Sequence, residues 1–72
     1  MNYSERMKLL RTEQHYSQQK VASLLGIALR SYQYYERGQR EPTVSVIIAL
    51  AELYGVSADY LLGMSDDPRR DL

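Results

Sequence analysis

The sequence predicts an all-α fold, a compact bundle of five helices, and three observations carry that expectation. Apolar residues recur at helical spacing in five successive stretches, and none of the chain reads as strand. The stretches open on small polar residues that cap helix starts (Asn2 or Ser4, Ser17, Thr43, Ser57), and four of them close on Gly26, Gly38, Gly55 and Gly63. The 72 residues suffice for one small domain only, with a core that is marginal without staples or a partner.

Taken in order, the first helix runs from about Tyr3 to Gln14, with Met7, Leu10 and Arg11 on one side. The second opens at Ser17, whose hydroxyl can accept from the free N–H groups of a helix start; Val21, Ala22, Leu24 and Leu25 mostly share a face. Gly26 stops it, because glycine reaches positive φ without steric cost. A third periodic segment, Ala28 to Arg37, begins two residues later, which leaves a turn of about three or four residues. Ala22 is small where that third helix must cross closely. After Gly38, Gln39, Arg40, Glu41 and Pro42 form a polar loop. The fourth helix spans about Val44 to Tyr54, capped by Thr43 and closed by Gly55, with Val44, Ile47, Leu50 and Ala51 on a wide apolar face. Ser57 opens a short fifth helix, SADYLL, ended by Gly63. Residues 1–63 are thus expected as the domain, and residues 64–72, SDDPRRDL after Met64, as a polar and flexible C-terminal tail.

Composition narrows the function. With no cysteine there is no disulfide framework, thiolate nucleophile or cysteine-ligated zinc. With one histidine, no glycine-rich phosphate loop and no pair of acids in an evident cleft, the sequence gives no reason to expect an enzyme, a metal or a cofactor. The longest apolar run, Val46 to Ala51, is far below the roughly 20 residues of a membrane span, and MNYSERMK has no signal-peptide core. A cytoplasmic protein without membrane partners is expected.

Net charge is zero, but its distribution is uneven. Residues 1–42 hold seven basic and four acidic residues, 7 − 4 = +3, and residues 43–72 hold two and five, 2 − 5 = −3. Phosphate attraction follows local potential, so the basic half containing the paired helices two and three is the half suited to nucleic acid. Two short helices across a tight turn, followed by a basic loop, are the arrangement of a helix-turn-helix reader of double-stranded DNA.

From Arg6 to Gly63 the chain resembles the phage repressor and Cro-like helix-turn-helix family, also called the xenobiotic-response-element type. The words that carry the resemblance, in order and spacing, are RMKLLR, SQQKVASLLGI, YYERGQREPT and LAELYGVSADYLLG. It implies a five-helix domain of the lambda-repressor-like kind, the third helix in the major groove, and a homodimer on a palindromic operator, most often in repression. Half-sites would then lie about 34 Å apart, one turn of DNA. Leu29, Arg30, Ser31 and Tyr34 fall where the family reaches base edges, and Arg30 has the fork that fits guanine O6 and N7. Gln18 matches a phosphate contact at the start of helix two, where free N–H groups and the helix dipole favour an anion. Gln39 and Arg40, with Lys20 and Arg37, are expected at the DNA backbone. Arg11 and Glu36 match a buried ion pair joining helices one and three. Tyr32 and Tyr35 fall at core positions. Ile48, Tyr54, Tyr60 and Leu61 are the candidates for a dimer surface, with the core as the alternative for each.

Three departures stand out against the family pattern. His15 replaces the usual glycine after helix one and implies a strained turn. Ala28 replaces the Ser or Thr cap of helix three, and Leu24 stands at a normally polar site, as an exposed leucine or a partner contact. A second reading is an antitoxin-like or anti-repressor module that grips a protein partner through helices four and five or Leu24. Neutral net charge and the apolar Leu29 fit it.

Overall fold

The computed structural model describes residues 1–70, and within them the chain forms five helices and no strand. They are α1 (Tyr3–Glu13), α2 (Gln18–Leu25), α3 (Leu29–Glu36), α4 (Val44–Tyr54) and α5 (Ala58–Leu61). The all-α expectation holds, with ends one residue inside the expected limits at Gln14, Ala28 and Arg37, because each of these is a cap and not a helical residue. None of the five is long and apolar enough to cross a membrane.

Local chemistry accounts for the boundaries. Asn2 accepts from the Glu5 N–H at 2.9 Å while the Glu5 carboxylate accepts from the Asn2 N–H at 3.1 Å, a reciprocal capping box. Ser17, Thr43 and Ser57 accept from the N–H three residues on, at 3.0, 3.2 and 3.0 Å. Ala28 offers no side-chain cap to α3, as the sequence implied. Among the described residues, His15 is the one non-glycine residue at positive φ, 58°. That conformation turns the chain sharply enough for Tyr16 N–H to reach the Arg11 carbonyl at 3.1 Å. Gly63 also sits at positive φ, and a Cβ there would run into the Met1 carbonyl, so only glycine fits this approach.

All five helices supply the core: Met7 and Leu10 from α1, Val21 and Ala22 from α2, Tyr32 from α3, Val46 and Leu50 from α4, and Leu61 from α5, with Val56 between the last two. Tyr32 is the largest side chain removed wholly from solvent, and it ties α3 to the rest of the molecule. Tyr35, expected with it in the core, is half-buried and packs against the cluster from outside.

Arg6 was not expected inside, yet it is 4% exposed. Its guanidinium lies 3.7 Å from the centroid of the Tyr60 ring and 3.5 Å from Asp66, and its Nε has no partner. A delocalised, weakly hydrated cation can be held this way by an aromatic face. Arg6 precedes Leu10 by four residues and follows Tyr3 by three, so the helical period already placed it on the buried stripe. The same contact brings residues past Gly63 against the bundle, where Ser57 N–H also donates to the Pro68 carbonyl at 3.0 Å. Asp71 and Leu72, counted in the expected tail, lie outside the described residues.

Candidate nucleic-acid interface

Helices α2 and α3 meet across residues 26–28. Gly26 adopts φ 70°, and the N–H groups of Gly26 and Ile27 return to the carbonyls of Ser23 and Ala22 at 3.1 and 3.0 Å. Val21, Ala22 and Tyr32 seal the angle between the helices, so the outer face of α3 is presented by packed side chains.

At about 100° per residue, Arg30, Arg37 and Tyr34 centre the outer face of α3, with Leu29 and Ser31 at its two margins. Exposure agrees. Arg30 and Arg37 are exposed, whereas Leu29, Ser31 and Tyr34 are half-buried. Of the four expected base contacts, Arg30 is thus the exposed one. Lys20 on α2 is exposed, as are Gln39 and Arg40 in the following loop. Among the described residues, none of Lys20, Arg30, Arg37 and Arg40 forms an ion pair. These four cations are therefore available to an anion.

Arg40 and Tyr34 act as one unit, which separate assignment of the two residues did not foresee. The Arg40 guanidinium lies 4.7 Å from the Tyr34 ring centroid. The Tyr34 carbonyl accepts from the N–H groups of Gln39 and Arg40 at 2.9 and 3.4 Å, and the Tyr3 hydroxyl donates to the Arg40 carbonyl at 2.9 Å. The loop that carries the expected backbone contacts is thus pinned both to α3 and to α1.

Behind this face lies a charged network. Arg11 donates through Nε and Nη2 to Glu36 at 2.9 and 2.8 Å and through Nη1 to the Tyr16 carbonyl at 2.9 Å. Burial works to raise the Glu36 pKa, but the hydrogen bonds and charge of Arg11, with help from Tyr32 and Gln18, outweigh it and hold the carboxyl below its ordinary range. The hydrogen bond from Arg11 to Glu36 in turn raises the arginine. Burial, then the nearby Glu36 carboxylate, pushes Tyr32 up and pushes Tyr54 up to about 12. Both hydroxyls are enclosed without a partner of good hydrogen-bonding geometry.

Gln18, expected at a phosphate, has its side chain inside this network. Its Nε2 donates to Glu36 at 3.3 Å, and its Oε1 accepts from Gln33 Nε2 at 3.1 Å. Gln33 was missed by sequence reasoning, although the period places it within about 60° of Arg30 on α3.

The residues expected at a dimer surface divide. Ile48 is 53% exposed on α4, whereas Leu61 is 1% exposed and belongs to the core, so it is not a surface residue. The single turn of α5 lays Leu61 inward against the cluster that includes Met7 and Leu50. Tyr54 and Tyr60 are half-buried, the first with its hydroxyl enclosed and the second beneath Arg6. Leu24 is 48% exposed.

The family described as Helix-turn-helix, HTH_3, matches residues 7–61. Among curated proteins, the HTH-type transcriptional regulator YobD of Bacillus subtilis is 39% identical over 66 residues, which cover 92% of this chain and 59% of that protein. YonR, an HTH-type transcriptional regulator derived from the SPbeta prophage of the same bacterium, is 43% identical over 60 residues, 83% of this chain and 56% of that one. The chain therefore spans less than two thirds of either relative. Among solved structures, the P22 c2 repressor protein, crystallised with a synthetic operator, superposes with a TM-score of 0.83 at 25% identity, over 90% of this chain and 98% of that chain.

Proposed function

The chain belongs to the helix-turn-helix family of transcriptional regulators, and from that premise we propose that it is a sequence-specific reader of double-stranded DNA that represses transcription. In this reading α3 lies in the major groove, two copies bind a palindromic operator, and blocking polymerase is the mechanism. The observation that carries it is the outer face of α3, where Arg30 and Arg37 stand exposed and without ion pairs beside the Tyr34–Arg40 stack. Unpaired arginines on a helix held rigidly from behind suit bidentate recognition of guanine and attraction to phosphate. That the P22 c2 repressor, which shares this fold, was crystallised with an operator supports DNA as the partner. Arg30 and Tyr34, with Leu29 and Ser31 at the margins, are assigned to bases; Gln18, Lys20, Arg37, Gln39 and Arg40 are assigned to phosphates. Of the proposed dimer surface, Ile48 is the most open residue. The protein would work in the bacterial cytoplasm, at the DNA.

The test is selection of bound duplexes from a random library at two salt concentrations, with and without Arg30→Ala. A palindrome with half-sites about one turn apart, relaxed at one base in the variant, is the expected result. Absence of any motif, with weak binding indifferent to the substitution, overturns it.

The exposed apolar residues Leu24, Val44 and Ile48 favour a second reading, a module that grips a protein partner. Salt separates the two. DNA binding through several phosphates weakens steeply as salt rises, and an apolar protein contact does not.

A further inference from the structure

We infer that Gln33 is a positioning residue, one that fixes the Gln18 amide for its phosphate contact without itself touching DNA; this rests on the DNA reading above. The argument is one of hydrogen-bond polarity. Glu36 is held ionised by Arg11, so toward Gln18 it can only accept. The Gln18 amide must therefore turn its Nε2 toward Glu36, at 3.3 Å, and this leaves its Oε1 facing Gln33. Whatever stands at position 33 must then donate, and Gln33 does so through Nε2 at 3.1 Å. Four side chains from α1, α2 and α3 are thereby ordered in one direction, from a charge on α1 to an amide on the reading helix. With its oxygen satisfied by Gln33 and one N–H by Glu36, Gln18 keeps a single free N–H at the first residue of α2, where the helix N-terminus favours an anion.

Gln33 also links two parts of the interface. A contact between α2 and the centre of α3 holds the phosphate-gripping amide in place, so the strength of the backbone contact depends on this bond. The Gln33 side chain runs back toward α2 because its donor is used there.

The experiment measures affinity of wild type, Gln33→Met, Gln18→Ala and the double variant for the duplex that wild type selects and for a scrambled duplex, with thermal melting of all four proteins alongside. Methionine keeps the length and unbranched shape of glutamine and removes the donor. The expected result is that Gln33→Met weakens both duplexes alike by about two- to tenfold, leaves the selected motif unchanged and melts close to wild type. In the Gln18→Ala background the same substitution has no further effect, because the group it acts through is gone. A change of preferred base, or an undiminished effect without Gln18, overturns the inference by showing that Gln33 meets DNA directly. Equal affinity of Gln33→Met and wild type overturns it too. If wild type selects no duplex at all, the DNA reading itself fails and takes this inference with it.

Discussion

Arg11 and Glu36, 25 residues apart, meet through two parallel hydrogen bonds of 2.9 and 2.8 Å, with the arginine side chain 14% and the glutamate 4% exposed. The pair joins α1 to the end of α3 and so fixes α3 against the rest of the bundle. Removing one partner strands the other as a buried charge, and that is worse than removing both. Glu36→Gln or Arg11→Met alone is expected to cost about 3 kcal/mol or more, and the double variant less than the sum. Urea denaturation at neutral pH measures all three. Additive single costs would show that the two groups do not act as a pair.

The same pair sets an acid limit. The Glu36 pKa is lower in the folded protein than its ordinary value of 4.5, so folding favours the ionised form. The stability this supplies is complete above the unfolded value and is lost as pH falls through the lowered folded value. Wild type is expected to lose more stability than Glu36→Gln as pH falls below about 4.5, so the two curves should converge in acid. Denaturation midpoints across that range check it, and parallel curves would contradict it.

Tyr54 predicts the opposite limb. Its hydroxyl is buried without a partner, and burial, then the Glu36 charge, pushes its pKa up to about 12. Folding therefore favours the neutral phenol. Its contribution is present below the ordinary value of 10.0 and is lost as pH rises through about 12. Tyr54→Phe removes the orphaned oxygen while keeping the ring, so at neutral pH it is expected to be neutral or to stabilise by up to about 1 kcal/mol. Above pH 10 the variant should lose less stability than wild type, as followed by circular dichroism. A clear loss for Tyr54→Phe at neutral pH would mean that the hydroxyl has a partner worth keeping.

The sequence showed the helices and their junctions because these depend on neighbours along the chain. Ser17, Thr43 and Ser57 cap through bonds only three residues long, and the turn at Gly26 needs nothing beyond its own backbone. The Arg11–Glu36 pair was legible through the family resemblance alone, since 25 residues of separation leave no local trace. What stayed hidden were contacts between distant segments. The Tyr3 hydroxyl on the Arg40 carbonyl spans 37 residues, and the Arg6–Asp66 contact spans 60. Leu61 stayed open between surface and core because a one-turn helix has too few residues for a period to say which side is buried, and the structure places it in the core. Gln33 was overlooked for another reason: glutamine on an outer helix face is ordinary, and only its bond to Gln18 distinguishes it.

The uncapped start of α3 yields a final prediction. Ala28 has the extended backbone of an N-cap, φ −66° and ψ 144°, as Ser17, Thr43 and Ser57 do in this chain, but its side chain accepts nothing. A serine at that backbone geometry can accept from an N–H in the first turn of α3 without rearrangement. Ala28 is exposed, so the hydroxyl displaces no packed neighbour. Ala28→Ser is therefore expected to stabilise the protein by about 0.5–1 kcal/mol, which for a domain this small raises Tm by several degrees. Calorimetry checks the size, and amide exchange checks the location, because protection should rise in the first turn of α3 ahead of the other helices. Ala28→Gly separates the cap from backbone freedom, since it supplies no acceptor. A gain shared equally by serine and glycine would locate the effect in the backbone and remove the missing cap as its cause.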